Sequence, residues 1–198
     1  MPITLTKTDI VNGALSLLAQ PAITDLDSDE SEEGDTARIW YLRTRQYVFG
    51  KYPWRCLQKT VQLTADPVKT NDRYSASFLV PADFISITET DLDEEQVYYF
   101  LEGDRIIIES FRATPTFFLT YTFQEENVGR YSPWLVEYFE TELASKMSYA
   151  LLKDRRFSID MVALAKDAFI DGANRDANQE RNYTYIIDQL SVVRNLRA

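Results

Sequence analysis

The chain has 198 residues, of which 45% are hydrophobic and 26% charged, and its net charge is −10. These values are typical of a globular protein with a core of its own, and the negative charge argues against a surface that binds nucleic acid through its phosphates. The single cysteine, Cys56, excludes an intramolecular disulfide, and the absence of histidine removes catalytic triads and zinc sites that depend on it.

The first predicted element is a helix that begins after Thr6. The run Thr6-Lys7-Thr8-Asp9 has the pattern of a capping box, in which the first and last side chains bind each other's backbone N–H groups. Apolar residues then recur at helical spacing on one face, and Pro21 is expected to end the helix. That face consists of Ile10, Ala14, Leu17 and Leu18.

An acidic stretch follows, with seven acidic residues and no basic one between Asp25 and Asp35. Such a run is typical of a solvated loop. The alternation of Asp25, Asp27 and Asp29 leaves a calcium site as the alternative, although the spacing lacks the glycine and the final glutamate of an EF-hand loop.

The central predicted helix runs from Thr36 to Tyr52 and is apolar on more than one side. At 100° per residue its apolar positions form three stripes, which are Ala37/Tyr41/Val48/Tyr52, Leu42/Phe49 with Ile39 nearby, and Trp40/Tyr47. Either the helix lies inside a single-chain core or one stripe contacts a neighbouring subunit. We expect Trp40 and Tyr47 to face outward, because Thr44 and Lys51 flank them with polar groups.

From Gln58 onward the apolar period changes from 3.6 residues to two, which predicts strands. The tripeptide Glu102-Gly103-Asp104 predicts a tight hairpin turn. The pattern favours an antiparallel meander of about five or six strands. Its runs are Val61–Leu63, Tyr74–Val80, Phe84–Thr88, Gln96–Leu101, Arg105–Glu109 and Thr116–Phe123.

Two further helices are predicted after the strands. Ser132 and Pro133 have the pattern of an N-cap followed by a first helical residue, and the apolar stripe behind them is Leu135, Phe139, Leu143, Met147 and Leu151. Residues 154–156 form the corner, and Ser158 is expected to cap a second helix that ends near Arg181. The two helices are expected to pack as an antiparallel hairpin.

The predicted fold class is therefore α+β, a helical bundle with an inserted antiparallel β-meander domain. The helical body comprises residues 1–57 and 125–198, and the β domain comprises residues 58–124. The tail from residue 183 keeps an apolar rhythm through Tyr185, Ile186 and Leu190. It either folds back on its own core or forms an arm that docks on a partner.

No catalytic, metal-binding or cofactor-binding residue is predicted. The glycines occur singly and form no phosphate-binding loop, and a pair of acidic side chains able to serve a glycosidase occurs by chance in any acidic protein. No apolar run approaches the roughly 18 residues of a membrane span, and no signal peptide is expected at the start.

The order of these features resembles the tail tubular protein A family, the head-to-tail adaptors of short-tailed bacteriophages. The shared features are the opening helix that ends near a proline, the loop Ile23-Thr24-Asp25-Leu26, the long helix that stops at Pro53-Trp54, the run from Phe78 to Phe84, and the helix from Leu135 to Ala144. The resemblance covers nearly the whole chain. The chain departs from the family where Ala19-Gln20 replaces a frequent glycine after the first helix.

The resemblance implies a structural virion protein at the head–tail junction rather than an enzyme. Family members form a ring, commonly of twelve subunits, between the portal protein and the tail nozzle protein, and packaged DNA leaves through the central channel. The expected interface residues are Trp40, Tyr47, Trp54, Tyr185, Ile186 and Leu190. The alternatives are a carboxylate-dependent glycan hydrolase and a monomeric binding or chaperone module of the tail.

Overall fold

A computed structural model describes residues 5–66, 76–92, 98–109 and 116–179 of the chain. Within these ranges the protein has four helices and two small antiparallel sheets of three strands each, which agrees with the α+β class. The helices are α1 (Lys7–Leu17), α2 (Glu32–Lys51), α3 (Pro133–Leu152) and α4 (Arg155–Ala177). The strands are β1 (Gln58–Thr64), β2 (Ala76–Leu79), β3 (Phe84–Thr90), β4 (Tyr98–Glu102), β5 (Arg105–Glu109) and β6 (Thr116–Phe123).

The predicted capping box at the start of α1 is confirmed. The Thr6 hydroxyl accepts a hydrogen bond from the Asp9 backbone N–H at 3.2 Å, and the Asp9 carboxylate accepts one from the Thr6 N–H at 2.8 Å. The chain then leaves the helix through Ala19 in a left-handed conformation with φ 53°, two residues before Pro21.

Helix α2 begins at Glu32, four residues earlier than predicted. The Ser31 hydroxyl caps it by accepting a hydrogen bond from the Gly34 N–H at 3.1 Å. Glu32, Glu33 and Asp35 occupy its first turn, where carboxylates favour the positive end of the helix dipole. The acidic run is therefore partly helix, and the prediction of a loop to Asp35 is wrong for its last four residues.

Helix α4 also begins earlier than predicted, because Asp154 rather than Ser158 is its N-cap. The Asp154 carboxylate accepts hydrogen bonds from the Arg156 and Phe157 N–H groups at 2.8 and 3.2 Å. The preceding residue, Lys153, adopts φ 54° and reverses the chain between α3 and α4.

The strands do not pair as a meander. The two sheets have the orders β1-β6-β3 and β2-β5-β4. Among the described strands, only β4 and β5 are both consecutive and paired, and the predicted turn at Gly103, with φ 61°, joins them. The inward rows of the two sheets share one apolar core, in which the Phe78 and Phe117 rings lie 4.7 Å apart. Two facing sheets bury both rows, whereas one open sheet leaves its apolar face uncovered.

The helices have a separate apolar core in which α3 packs against α1, α2 and α4. Near one end of this core Asp176, which is 1% exposed, joins three segments. Its carboxylate accepts hydrogen bonds from the Trp134 indole N–H and from the Arg55 backbone N–H, both at 3.0 Å. The domain boundaries predicted at 57/58 and 124/125 stay a prediction; β1 begins at Gln58 and β6 ends at Phe123.

Candidate functional site

The assignment of Trp54 to an interface is wrong, because its side chain is fully buried in the helical core. Its indole N–H donates a hydrogen bond to the Val48 carbonyl at 3.0 Å, and its ring packs against Tyr138 and Phe169 at centroid distances of 5.9 and 6.4 Å. After Pro53 stops α2, the chain turns so that this indole fills the space beneath the helix end. A tryptophan at a helix stop is equally typical of a core position, so the sequence did not distinguish the two.

The stripe of Trp40 and Tyr47, which was predicted to face outward from α2, is only partly available to a partner. Trp40 is half-buried against the helical core, and the Arg43 guanidinium lies 5.8 Å from its ring centroid. Tyr47 is 48% exposed, but the ammonium groups of Lys51 and Lys146 each lie 5.2 Å from its ring. Thr44, which was expected to form part of a polar rim, is 1% exposed.

The outward surface of α2 instead centres on Ile39 and Leu42, whose side chains are both 56% exposed. Arg43 and Gln46 lie within about 40° of Ile39 on the helical wheel and are also exposed. We call these four residues the α2 face. Ile39 and Leu42 were assigned to the Leu42/Phe49 stripe, and only Phe49 of that stripe is buried.

A second exposed apolar surface lies on α4. Ile159, Val162, Lys166 and Ile170 are all exposed on one side of the helix, and we call them the α4 face. Beside Ile159 and Val162 lies a groove of about 520 Å³ that Tyr149 of α3 also lines. This face was not predicted, although Ile159, Val162 and Ile170 recur at helical spacing in the sequence.

Three predicted interface residues, Tyr185, Ile186 and Leu190, lie outside the described residues. Whether the tail folds back or forms an arm therefore stays a prediction.

The acidic loop before α2 is organised by its own hydrogen bonds. Asp29 accepts hydrogen bonds from the backbone N–H and the hydroxyl of Ser31, and these bonds lower the pKa of its carboxyl below the usual value. Arg38 donates to the carbonyls of Leu26 and Asp29 at 3.0 and 2.5 Å. Among the residues that the structure describes, no three acidic or cysteine side chains converge as metal ligands would.

One carboxyl group in the described part of the chain is strongly perturbed. Burial, followed by the negative charge of Glu137, raises the pKa of Glu140 to about 7. A Cβ atom placed on Gly13 of α1 would lie 2.4 Å from the Glu140 carboxyl carbon, so this group is packed between two helices. The raised pKa of Glu140 therefore accompanies close packing of its carboxyl group against α1.

No family model matches the chain, and comparison with curated proteins gives no match. None of the helices in the described ranges combines the length and apolar character that crossing a bilayer requires.

Proposed function

We propose that the protein is a structural subunit of a virion, a head-to-tail adaptor that forms a ring between the portal protein and the tail nozzle protein and lets DNA pass through its channel. The kind of assembly comes from the family resemblance of the sequence. The observation that carries the proposal is that one chain exposes two separate apolar helix faces, on α2 and on α4.

Two different faces suit a ring better than a symmetric dimer. A closed ring of identical subunits uses a heterologous contact, in which one patch of each subunit binds a different patch of the next. The α2 face and the α4 face lie on helices that both pack against α3. Each face combines branched apolar side chains with one basic residue, Arg43 or Lys166, and large exposed apolar surfaces mark contacts between proteins.

Electron microscopy of the purified protein mixed with a portal ring tests this proposal. We expect wild-type protein to add a second ring to the portal. The substitutions Leu42→Glu and Ile159→Glu should each prevent that ring, because each places a charge in one of the two faces. The matched control is Leu79→Glu, since Leu79 is 53% exposed on β2, outside both faces.

A mixing experiment separates a ring from other assemblies. An equimolar mixture of the Leu42→Glu and Ile159→Glu proteins retains one intact α2 face and one intact α4 face in each pair of subunits, so it should form dimers on the portal but no closed ring. Normal rings from either single variant, or the same loss with Leu79→Glu, would contradict the proposal. Mass measurement of a complex with one copy per portal would instead favour the monomeric module.

The proposed partners also include the nozzle protein and, through the tail arm, the portal. Deletion of residues 184–198 should abolish portal binding while the circular dichroism of the subunit stays unchanged. Normal portal binding by this truncated chain would exclude the arm. The DNA only passes through the channel, which accords with the net charge of −10 because like charge repels phosphate.

A further inference from the structure

A second groove, of about 600 Å³, lies between the start of α1, the acidic loop and α2. Leu26, Tyr41 and Leu42 supply its apolar walls. Burial raises the pKa of Tyr41 to about 12, so its hydroxyl stays protonated and neutral at physiological pH. A half-apolar concave site of this size is typical of small-ligand and peptide-side-chain sites.

Three basic residues, Lys7, Arg38 and Arg45, also line the groove. The first two are already paired within the chain. The Lys7 ammonium forms an ion pair with Asp27, and Arg38 pairs with Asp35 while donating to two loop carbonyls.

Arg45 is different, because it is only 9% exposed and its Nε–H has no hydrogen-bond partner within the described residues. A buried N–H group that lacks a partner loses its hydration without compensation. Arg45 also lines the groove, so an anion bound there would pair with the part of the guanidinium that faces it.

We propose that this groove binds a carboxylate attached to an apolar carbon chain, with Arg45 as the residue that pairs with it. A carboxylate carries a single negative charge and matches the planar fork of one guanidinium. A phosphate dianion fits less well, since Asp27 and Glu126 also line the groove and would repel the second charge. Leu26 and Leu42 would contact the carbon chain.

Two kinds of molecule could supply this carboxylate. One is a protein, through an aspartate or glutamate side chain, and the other is a small organic acid. Leu42 belongs both to this groove and to the α2 face. The test therefore uses the isolated subunit, in which binding to the groove does not require ring assembly.

Nuclear magnetic resonance of the full ¹⁵N-labelled chain tests it through the arginine Nε–Hε signals. The probes are the blocked tripeptide acetyl-Leu-Asp-Leu-amide and 3-methylbutanoate, titrated at constant ionic strength. We expect one Nε–Hε signal to shift and to reach saturation during the titration. Through-bond experiments should assign this signal to Arg45. Binding of the tripeptide alone indicates a protein source, and equal binding of both probes indicates an organic acid.

The matched variants are Arg45→Gln and Arg43→Gln, which remove the same charge from neighbouring positions of α2. Arg43 is exposed on the α2 face, so its loss should leave tripeptide affinity unchanged within about twofold, whereas loss of the Arg45 charge-assisted pair should weaken it at least about tenfold. Arg45→Lys keeps the positive charge but lacks the planar guanidinium group, so it should also weaken binding. If the Arg45 variants fail to fold, the assigned wild-type signal still gives the answer.

Three results would overturn the proposal. The first is the absence of a saturable shift of the Arg45 signal with either probe. The second is equal binding of acetyl-Leu-Asn-Leu-amide, which lacks the carboxylate. The third is inorganic phosphate binding as tightly as the tripeptide, which would reduce the groove to a general anion site.

Discussion

Replacement of Glu140 by glutamine should stabilise the protein at neutral and alkaline pH. The pKa of this carboxyl is raised by burial and by Glu137 from 4.5 to about 7. The folded chain therefore holds a proton that the unfolded chain has lost, and stability falls as the pH rises between these two values. The contribution of Glu140 is fully present below about pH 4.5 and is lost above about pH 7.

The magnitude follows from the size of the pKa shift. A shift from 4.5 to about 7 corresponds to about 3 kcal/mol at about 1.4 kcal/mol per unit. Glu140 is only partly buried, so solvent screening reduces the expected effect to about 1–2 kcal/mol. Glu140→Gln should add that much to the free energy of unfolding at pH 8 and almost nothing at pH 4, since glutamine resembles the protonated acid.

The assay is urea denaturation at several pH values, followed by tryptophan fluorescence. All three tryptophans, Trp40, Trp54 and Trp134, lie in or against the helical core, so the signal reports on the part that contains Glu140. Glu109→Gln, at an exposed strand end, is the control and should leave the pH profile unchanged. Equal stabilisation of the Glu140 variant at pH 4 and pH 8, or none at either, would refute the reasoning.

Three further substitutions test other features of the helical core by the same denaturation assay. Asp176→Ala should cost about 2–4 kcal/mol, because each oxygen of this buried carboxylate accepts a hydrogen bond. Asp171→Ala, at an exposed ion pair, should cost under about 1 kcal/mol, and equal costs would contradict the assigned role of Asp176. Thr44→Val should stabilise by about 1 kcal/mol, since the buried hydroxyl has no hydrogen-bond partner among the residues that the structure describes, and a loss of stability would show that it has one. Thr141→Val should destabilise by about 1 kcal/mol, because that hydroxyl donates to a helix carbonyl at 2.9 Å; a neutral result would remove the contrast with Thr44.

Helix existence was predictable from the sequence because its signals are local. The Thr6–Asp9 capping box, Pro133 at the first helical position and the 3.6-residue apolar period each act within a few residues. The starts of α2 and α4 lie four residues before the predicted ones, because Ser31 and Asp154 act as the N-caps. For α4 the sequence offers two residues of capping type, Asp154 and Ser158, and their identity alone does not decide between them.

Strand pairing was not predictable in the same way. The first and last residues of β6 were predicted correctly as Thr116 and Phe123, but its partners β1 and β3 are distant in the chain. Only the Gly103 turn specifies a pairing locally. The remaining register depends on the apolar core between the sheets, which no short window of sequence contains.

The candidate site was the least predictable feature. The apolar character of a residue does not reveal whether it fills a core, as Trp54 does, or faces solvent, as Ile39 does. Arg38, Arg43, Arg45 and Arg55 make this region basic in the sequence, which favours contact with an acidic protein. The burial of Arg45 was not predictable, because it arises from the loop and the helices that surround it rather than from its neighbours in sequence.

The pairing of β1 with β6 also determines how this architecture tolerates change. Gln58 lies opposite Thr122 in that ladder, so the chain leaves the helical part and returns to it at points roughly 5 Å apart. Segments whose ends lie so close tolerate exchange and insertion better than segments with distant ends. A replacement for residues 59–121 therefore needs only two chain ends that meet at that distance.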